Sequence, residues 1–181
     1  TQSAIGPDGR LPHLERLLSG GIPFESLTLI EGASAIGKSV LCQYLIYGAI
    51  VDGRSVALFS TEHTADSLVQ KMGSIGLDLS DQLQGGNLGI YPIQQPTVDD
   101  DPDSVLAALA FEIERVPTDY GIIIVDGITN LAQISQDRAV LGFFSSCQRL
   151  CSEGRTIVVV ARSSAFDARL LARLSGVCNS H

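Results

Sequence analysis

Apolar residues along this chain fall into two kinds of run. Short unbroken blocks, such as Ile122-Ile123-Ile124-Val125 and Val56-Ala57-Leu58-Phe59, are apolar at every position. A strand sends alternate side chains to opposite faces, so such a block predicts a strand covered on both sides, as in a parallel sheet. Longer segments carry apolar residues at three- and four-residue intervals, the period of a helix with one buried face. On this basis strands are expected over 27–30, 56–59, 88–91, 122–125 and 156–160. Helices are expected over 38–49, with Leu41, Leu45 and Ala49 on one face, and over 65–75, stopped by Gly76. Two more cover 137–151, with Val140, Phe144, Cys147 and Cys151 inward, and 167–174. The acidic stretch 94–101 reads as a solvated loop feeding another helix. Asp101 suits the cap of that helix, Pro102 its first position, and Val105, Leu106, Leu109 and Ile113 its buried stripe. Strands separated by helix-length segments pair in parallel through crossovers. The expected fold is α/β, a mostly parallel sheet with helices on both faces, in 181 residues read as one domain.

One strand-to-helix junction carries chemistry. Gly32-Ala33-Ser34-Ala35-Ile36-Gly37-Lys38-Ser39 matches the phosphate-loop pattern G-x-x-x-x-G-K-[ST], and Val40 follows it into the helix. Glycines at its ends let backbone N–H groups turn inward around phosphates, and the helix N-terminus adds partial positive charge. Lys38 is placed to reach the β- and γ-phosphates, and Ser39 to offer its hydroxyl to Mg²⁺. The chain's lysines are Lys38 and Lys71, so a lysine here stands out from its background. The junction therefore predicts a nucleoside triphosphate site, for ATP with Mg²⁺. The strand at 122–125 ends in Asp126, the Walker B pattern, with Asp126 expected to hold Mg²⁺ through water.

Two further residues lie at strand ends, where a parallel sheet opens onto its ligand crevice. Glu62 is placed either to orient or deprotonate an attacking water, or as an acid that favours a helix start. Arg162 is placed to read a γ-phosphate or a neighbouring subunit's nucleotide, or else to pair with a carboxylate such as Asp167.

Composition removes several alternatives. The net charge is −8 and the basic residues are scattered, which argues against nucleic acid as the main partner. Apolar residues make up 45% of the chain, yet no run approaches the roughly 20 residues of a membrane span, and 1–10 lacks the apolar stretch of a signal peptide. Cys42, Cys147, Cys151 and Cys178 are expected as buried thiols of a reducing cytoplasm. His13, His63 and His181 are dispersed and complete no metal site with them.

Taken together, these segments resemble a family. Gly20-Gly21-Ile22-Pro23 and Ser26-Leu27-Thr28-Leu29-Ile30-Glu31-Gly32 resemble the entry to the phosphate loop in RecA-like ATPases of the KaiC type. Within that group the chain is most similar to FlaH proteins, the ATP-binding proteins of the archaellum (archaeal flagellum) motor. The likeness continues in Lys38-Ser39-Val40-Leu41, Thr61-Glu62, Leu88-Gly89-Ile90-Tyr91-Pro92, Phe143-Phe144, Cys147, Leu150-Cys151 and Ala165-Phe166-Asp167. It implies a RecA-like core with the 156–160 strand inserted between the phosphate-loop and Walker B strands, and with further strands following His181. It also implies a cytoplasmic protein at the cytoplasmic face of a membrane-bound motor. Its partners would be a FlaI-like motor ATPase and a FlaJ-like membrane platform protein, and it would form a homo-oligomer or ring.

The role implied is regulatory, a nucleotide-dependent switch with slow or no ATP hydrolysis. The segments 63–67, 127–136 and 163–169 leave one sheet edge and would sense the γ-phosphate together. KaiC-like ATPases carry acids at the Glu62 position, often paired; here His63 stands second. Gly127 stands where Ser or Thr is expected, and Arg162 where archaeal FlaH proteins carry His. A KaiC-like signalling ATPase or self-kinase is the alternative, and predicts paired acids and usually a duplicated domain. A RecA-type recombinase is the third reading, and predicts basic DNA-binding loops.

Overall fold

The protein, described here from a computed structural model, is resolved into elements over residues 22–61, 64–79 and 85–179. The strands are β1 (Leu27–Gly32), β2 (Val56–Ser60), β3 (Leu88–Pro92), β4 (Ile122–Asp126) and β5 (Thr156–Arg162). The helices are α1 (Lys38–Val51), α2 (Ala65–Ser74), α3 (Pro102–Glu114), α4 (Thr129–Ile134), α5 (Asp137–Ser152) and α6 (Ala168–Ser175). A 3₁₀ turn at Ser163–Ala165 joins β5 to α6.

All five strands pair in parallel, in the order β1-β5-β4-β2-β3. Strand β5 thus lies between the phosphate-loop strand and the Walker B strand, as the resemblance implies. The architecture is the parallel α/β fold expected from the chain's apolar pattern, with the RecA-like strand order that the resemblance implies.

Alternation along the strands explains the unbroken apolar blocks. Ile123, Val125, Ile157, Val159, Ala57 and Phe59 enter one core, with α3, α4, α5 and α6. Their neighbours Ile122, Ile124, Val158, Val160, Val56 and Leu58 enter the other, with α1 and α2. The central strands β2, β4 and β5 are therefore buried on both faces, while the edge strand β3 is only half-buried and β1 carries Thr28 in its interior.

Helix α3 starts as expected: Asp101 accepts from Ser104 N at 3.1 Å and Pro102 occupies the first turn. Its stripe is Leu106, Leu109 and Ile113, with Val105 packed at the margin. Helix α2 is capped by Thr64, which accepts from Ser67 N. In α1 the inward face is centred on Cys42, Leu45, Ile46, Ala49 and Ile50, and Leu41 packs at its edge.

Two long-range ties close the frame. Arg155 donates to the carbonyls of Val116 at 2.7 Å, Pro117 at 2.9 Å and Tyr120. It fastens the entry of β5 to the turn before β4. Asn179 brackets Leu27, accepting from its N–H at 2.9 Å through Oδ1 and donating to its carbonyl at 2.9 Å.

Candidate functional site

The loop after β1, the start of α1, Thr61 just past β2 and the carboxyl ends of β4 and β5 line a cleft of about 400 Å³. It opens where the connections diverge, since α1 leads from β1 across the sheet to β2 while β4 returns to β5. Such a switch point is where open α/β sheets bind ligands.

The loop between β1 and α1 forms one wall. Gly37 caps α1 in a left-handed conformation, φ 90°, and no side chain caps the helix. The first-turn N–H groups are therefore left to an external acceptor, and no acidic side chain occupies that turn. Lys38 Nζ donates to the carbonyls of Gly32 at 2.7 Å and Ala33 at 2.5 Å. Its ammonium is thereby held within the loop's own curve. Ala35 is left-handed at φ 64°, a costly conformation for a residue with a side chain. A Cβ at Gly32 would meet Ile36 Cδ1, the tip of an exposed side chain that would have to turn aside. Ser34, Ala35, Gly37, Lys38, Ser39 and Val40 line the cleft. Gly32, Ala33 and Ile36 instead shape the loop from behind.

The opposite wall comes from β4 and β5. Asp126 and Arg162 both line the cleft. By strand alternation both fall on the face covered by α1: Asp126 continues Ile122 and Ile124, and Arg162 continues Val158 and Val160. Asp126 pairs with Val160, and Arg162 with Gly32, so Arg162 projects two residues past the Walker B carboxylate. Neighbouring strands are about 4.8 Å apart, which puts the ends of β1 and β4 about 10 Å apart with β5 between them.

Charges cluster around α1's first turns. Burial pushes the Cys42 thiol well above its ordinary range, and the Asp126 carboxylate raises it further, while Lys38 acts in the opposite sense. Cys42 thus sits neutral beneath an acid and a base that face the cleft from either side. The ion pairs among the described residues that involve arginine are those of Arg149 with Glu114 and Glu153, so the Arg162–Asp167 pair is not formed. Asp167 caps α6 instead, accepting from Leu170 N at 2.7 Å.

Glu62 and His63 lie outside the described residues. Thr61, just before them, lines the cleft. Its packing explains Gly127, where a serine or threonine was expected. Gly127 has φ 113°, and a Cβ there would overlap Thr61 Oγ1. Backbone conformation and lack of space both require glycine.

Thr129 and Asn130, inside the 127–136 segment expected to face the nucleotide but not singled out within it, also line the cleft. Both lie on α4, whose six residues are too few to display a helical period. A hydroxyl and an amide three and four residues after a strand-ending aspartate were the available signal.

The donor set suits a nucleoside triphosphate with a hard cation. It combines unclaimed helix-start N–H groups and an ammonium for phosphate with a hydroxyl and a carboxylate for Mg²⁺, which binds few protein ligands and keeps several waters. Cys147 and Cys151 are buried and Cys178 half-buried against the same core; among the described residues no group of three ligands is placed to hold a metal. No helix among them is long and apolar enough to cross a membrane.

Fold and cleft together define a RecA-like phosphate-loop nucleotide-binding protein. The chain belongs to the KaiC family of ATPases, whose model matches residues 9–166. Among characterised relatives it is 26% identical over 167 residues to the archaeal flagellar ATP-binding protein FlaH of Sulfolobus acidocaldarius, covering 91% of this chain and 72% of that one. It is 39% identical over 80 residues to the FlaH of Methanocaldococcus jannaschii, covering 44% of this chain and 34% of the relative. The DNA repair and recombination protein RadB of Methanococcus maripaludis is 30% identical over 125 residues, covering 67% of this chain and 51% of RadB. In fold, the crystal structure of the flagellar accessory protein FlaH from Methanocaldococcus jannaschii superposes with a TM-score of 0.70 at 24% identity, covering 92% of this chain and 74% of that one.

Proposed function

We propose that this chain is an ATP-binding regulatory subunit of an archaellum-type motility motor, acting as a nucleotide-dependent switch. The observation that carries the reading is the likeness to FlaH, which runs through 91% of the chain, and the cleft at the phosphate-loop motif supports it. In this reading the α1 N-terminus and Lys38 bind the phosphates, Ser39 and Asp126 hold Mg²⁺, and Arg162 contacts the γ-phosphate. Mg²⁺, when bound, neutralises phosphate charge and orients the β- and γ-oxygens. Glu62 orients a water, and as a lone acid beside His63 it supports slow turnover at best. The partners are a FlaI-like motor ATPase and a FlaJ-like platform protein at the cytoplasmic face of the membrane, with a homo-oligomer or ring as the assembled form.

The experiment is co-purification with a FlaI-like ATPase, with and without Mg-ATP, alongside calorimetry of nucleotide binding. Nucleotide-dependent association and loss of ATP binding in Lys38→Ala are expected. Equal association in both states removes the switch. Turnover by the isolated chain near the roughly 10 s⁻¹ of a median enzyme removes the regulatory role.

A second reading rests on the RadB likeness, a recombinase-like protein acting on DNA. The net charge of −8 opposes it. Salt-dependent binding of a single-stranded oligonucleotide, read by fluorescence anisotropy, would favour it over the motor.

A further inference from the structure

We propose that Thr129 is a positioning residue that sets Arg162 at the γ-phosphate end of the cleft, by supplying the hydrogen bond that β4 no longer can. The inference rests on the reading of Arg162 as a γ-phosphate contact.

Strand β4 stops at Asp126, opposite Val160. Strand β5 runs on to Arg162. On its other side β5 still has β1, where Arg162 pairs with Gly32. On the β4 side the sheet has ended, and the Arg162 N–H has no strand to bond. Thr129 takes that place: its Oγ1 accepts from Arg162 N at 2.9 Å. The Thr129 side chain belongs to a residue only 7% exposed, although it borders the cleft. The bond is only part-buried, at the exposed end of β5, so it adds the modest worth of one hydrogen bond to the path by which β5 leaves the sheet.

A second tie from the same helix reinforces the first. Gln133 Nε2 donates to the carbonyl of Ser164 at 2.9 Å and to its Oγ at 3.2 Å. One turn of α4 separates Thr129 from Gln133, so the helix grips the chain at residues 162 and 164 from one face. Helix α4 itself follows Asp126 by two residues. The Walker B carboxylate and the arginine therefore share a short rigid support, although they come from different strands.

The test is calorimetry of Mg-ATP and Mg-ADP on the full chain, with Thr129→Val, Thr129→Ser, Arg162→Ala and the Val/Ala double variant. Valine keeps the shape of threonine and removes the acceptor. Arg162→Ala is expected to lower the ratio of ATP to ADP affinity about tenfold, the worth of one good hydrogen bond. Thr129→Val is expected to lower that ratio by about three- to tenfold, and Thr129→Ser to restore it. The double variant should match Arg162→Ala alone, because the hydroxyl acts through the arginine. If Arg162→Ala leaves the ratio unchanged, the reading of Arg162 itself fails. If Arg162→Ala lowers the ratio and Thr129→Val does not, the positioning role is wrong. Additive losses in the double variant would mean that Thr129 contacts the nucleotide directly, and would overturn the inference too. A merely structural role would weaken ATP and ADP alike. Should Thr129→Val not fold, Thr129→Ala carries the same comparison.

Discussion

The turn after the Walker B strand offers a perturbation whose size can be worked out. Gly127 has φ 113°, and a Cβ there would overlap Thr61 Oγ1 and lie 2.9 Å from its Cγ2 and 3.1 Å from its Cβ. Gly127→Ala therefore meets two separate costs. Left-handed backbone costs a residue with a side chain about 1–2 kcal/mol. Forcing a methyl against Thr61 costs about 1–3 kcal/mol, as overpacking does elsewhere. Alanine's reduced freedom in the unfolded chain returns about 0.4–1 kcal/mol. The expected loss is about 2–4 kcal/mol, read as a lower urea midpoint at unchanged slope. In a chain of this length it lowers the Tm by about 4–16 °C. The two costs can be separated. Thr61→Ala removes Oγ1 and Cγ2 and leaves only the Cβ, so in the double variant the overlap largely disappears while the φ cost stays. A coupling of about 1–3 kcal/mol between positions 61 and 127 is expected. If Gly127→Ala stays within about 0.5 kcal/mol of the parent, neither the left-handed turn nor the close Thr61 contact describes the protein.

Arg155→Ala strips three carbonyls of their guanidinium partner and is expected to lose about 3 kcal/mol in urea unfolding, with Arg155→Lys recovering less than half because an ammonium lacks the planar fork. Equal stability of the lysine variant and the parent would contradict this. Ala35→Gly relieves the φ 64° conformation and is expected to gain up to about 1 kcal/mol, the left-handed cost less glycine's own entropy; a loss on substitution would show that the loop is not left-handed there. Burial holds the Cys151 and Cys178 thiols up at about 11 and pushes Cys42 and Cys147 upward too. The unfolded chain releases these protons from about pH 8.5 while the folded chain keeps them, so this stability is complete below about pH 8.5 and declines as pH rises toward 11. Thermal unfolding at pH 8 and pH 10 checks the sign, and a Tm that rises with pH would refute it.

Local sequence determined much of this protein. Unbroken apolar blocks marked the central strands β2 and β4 and most of β5, because a strand buried on both faces has little room for a polar side chain. Asp101-Pro102 marked the start of α3, because capping is chemistry between near neighbours. The phosphate loop was legible for the same reason: Gly32, Gly37, Lys38 and Ser39 act within eight consecutive residues. Asp126 and Arg162 could be suspected as polar residues ending apolar strands. For Arg162 the alternative, pairing with Asp167, was equally legible. Strand order seats β5 between β1 and β4, and alternation along the strands brings both side chains to the α1 face, where they line one cleft.

Some features lay beyond any local pattern. Helix α4 is too short to announce itself, so Thr129, Asn130 and the bond to Arg162, spanning 33 residues, appeared only with the fold. Gly127 looked like a departure from the family until Thr61, 66 positions away, was found against it. Capping, period and loop chemistry are interactions between residues close in sequence, and one chain records them directly. A hydroxyl standing in for an absent strand, or a glycine made necessary by a distant threonine, depends on which segments the sheet brings side by side, and that is decided only when the whole chain has packed.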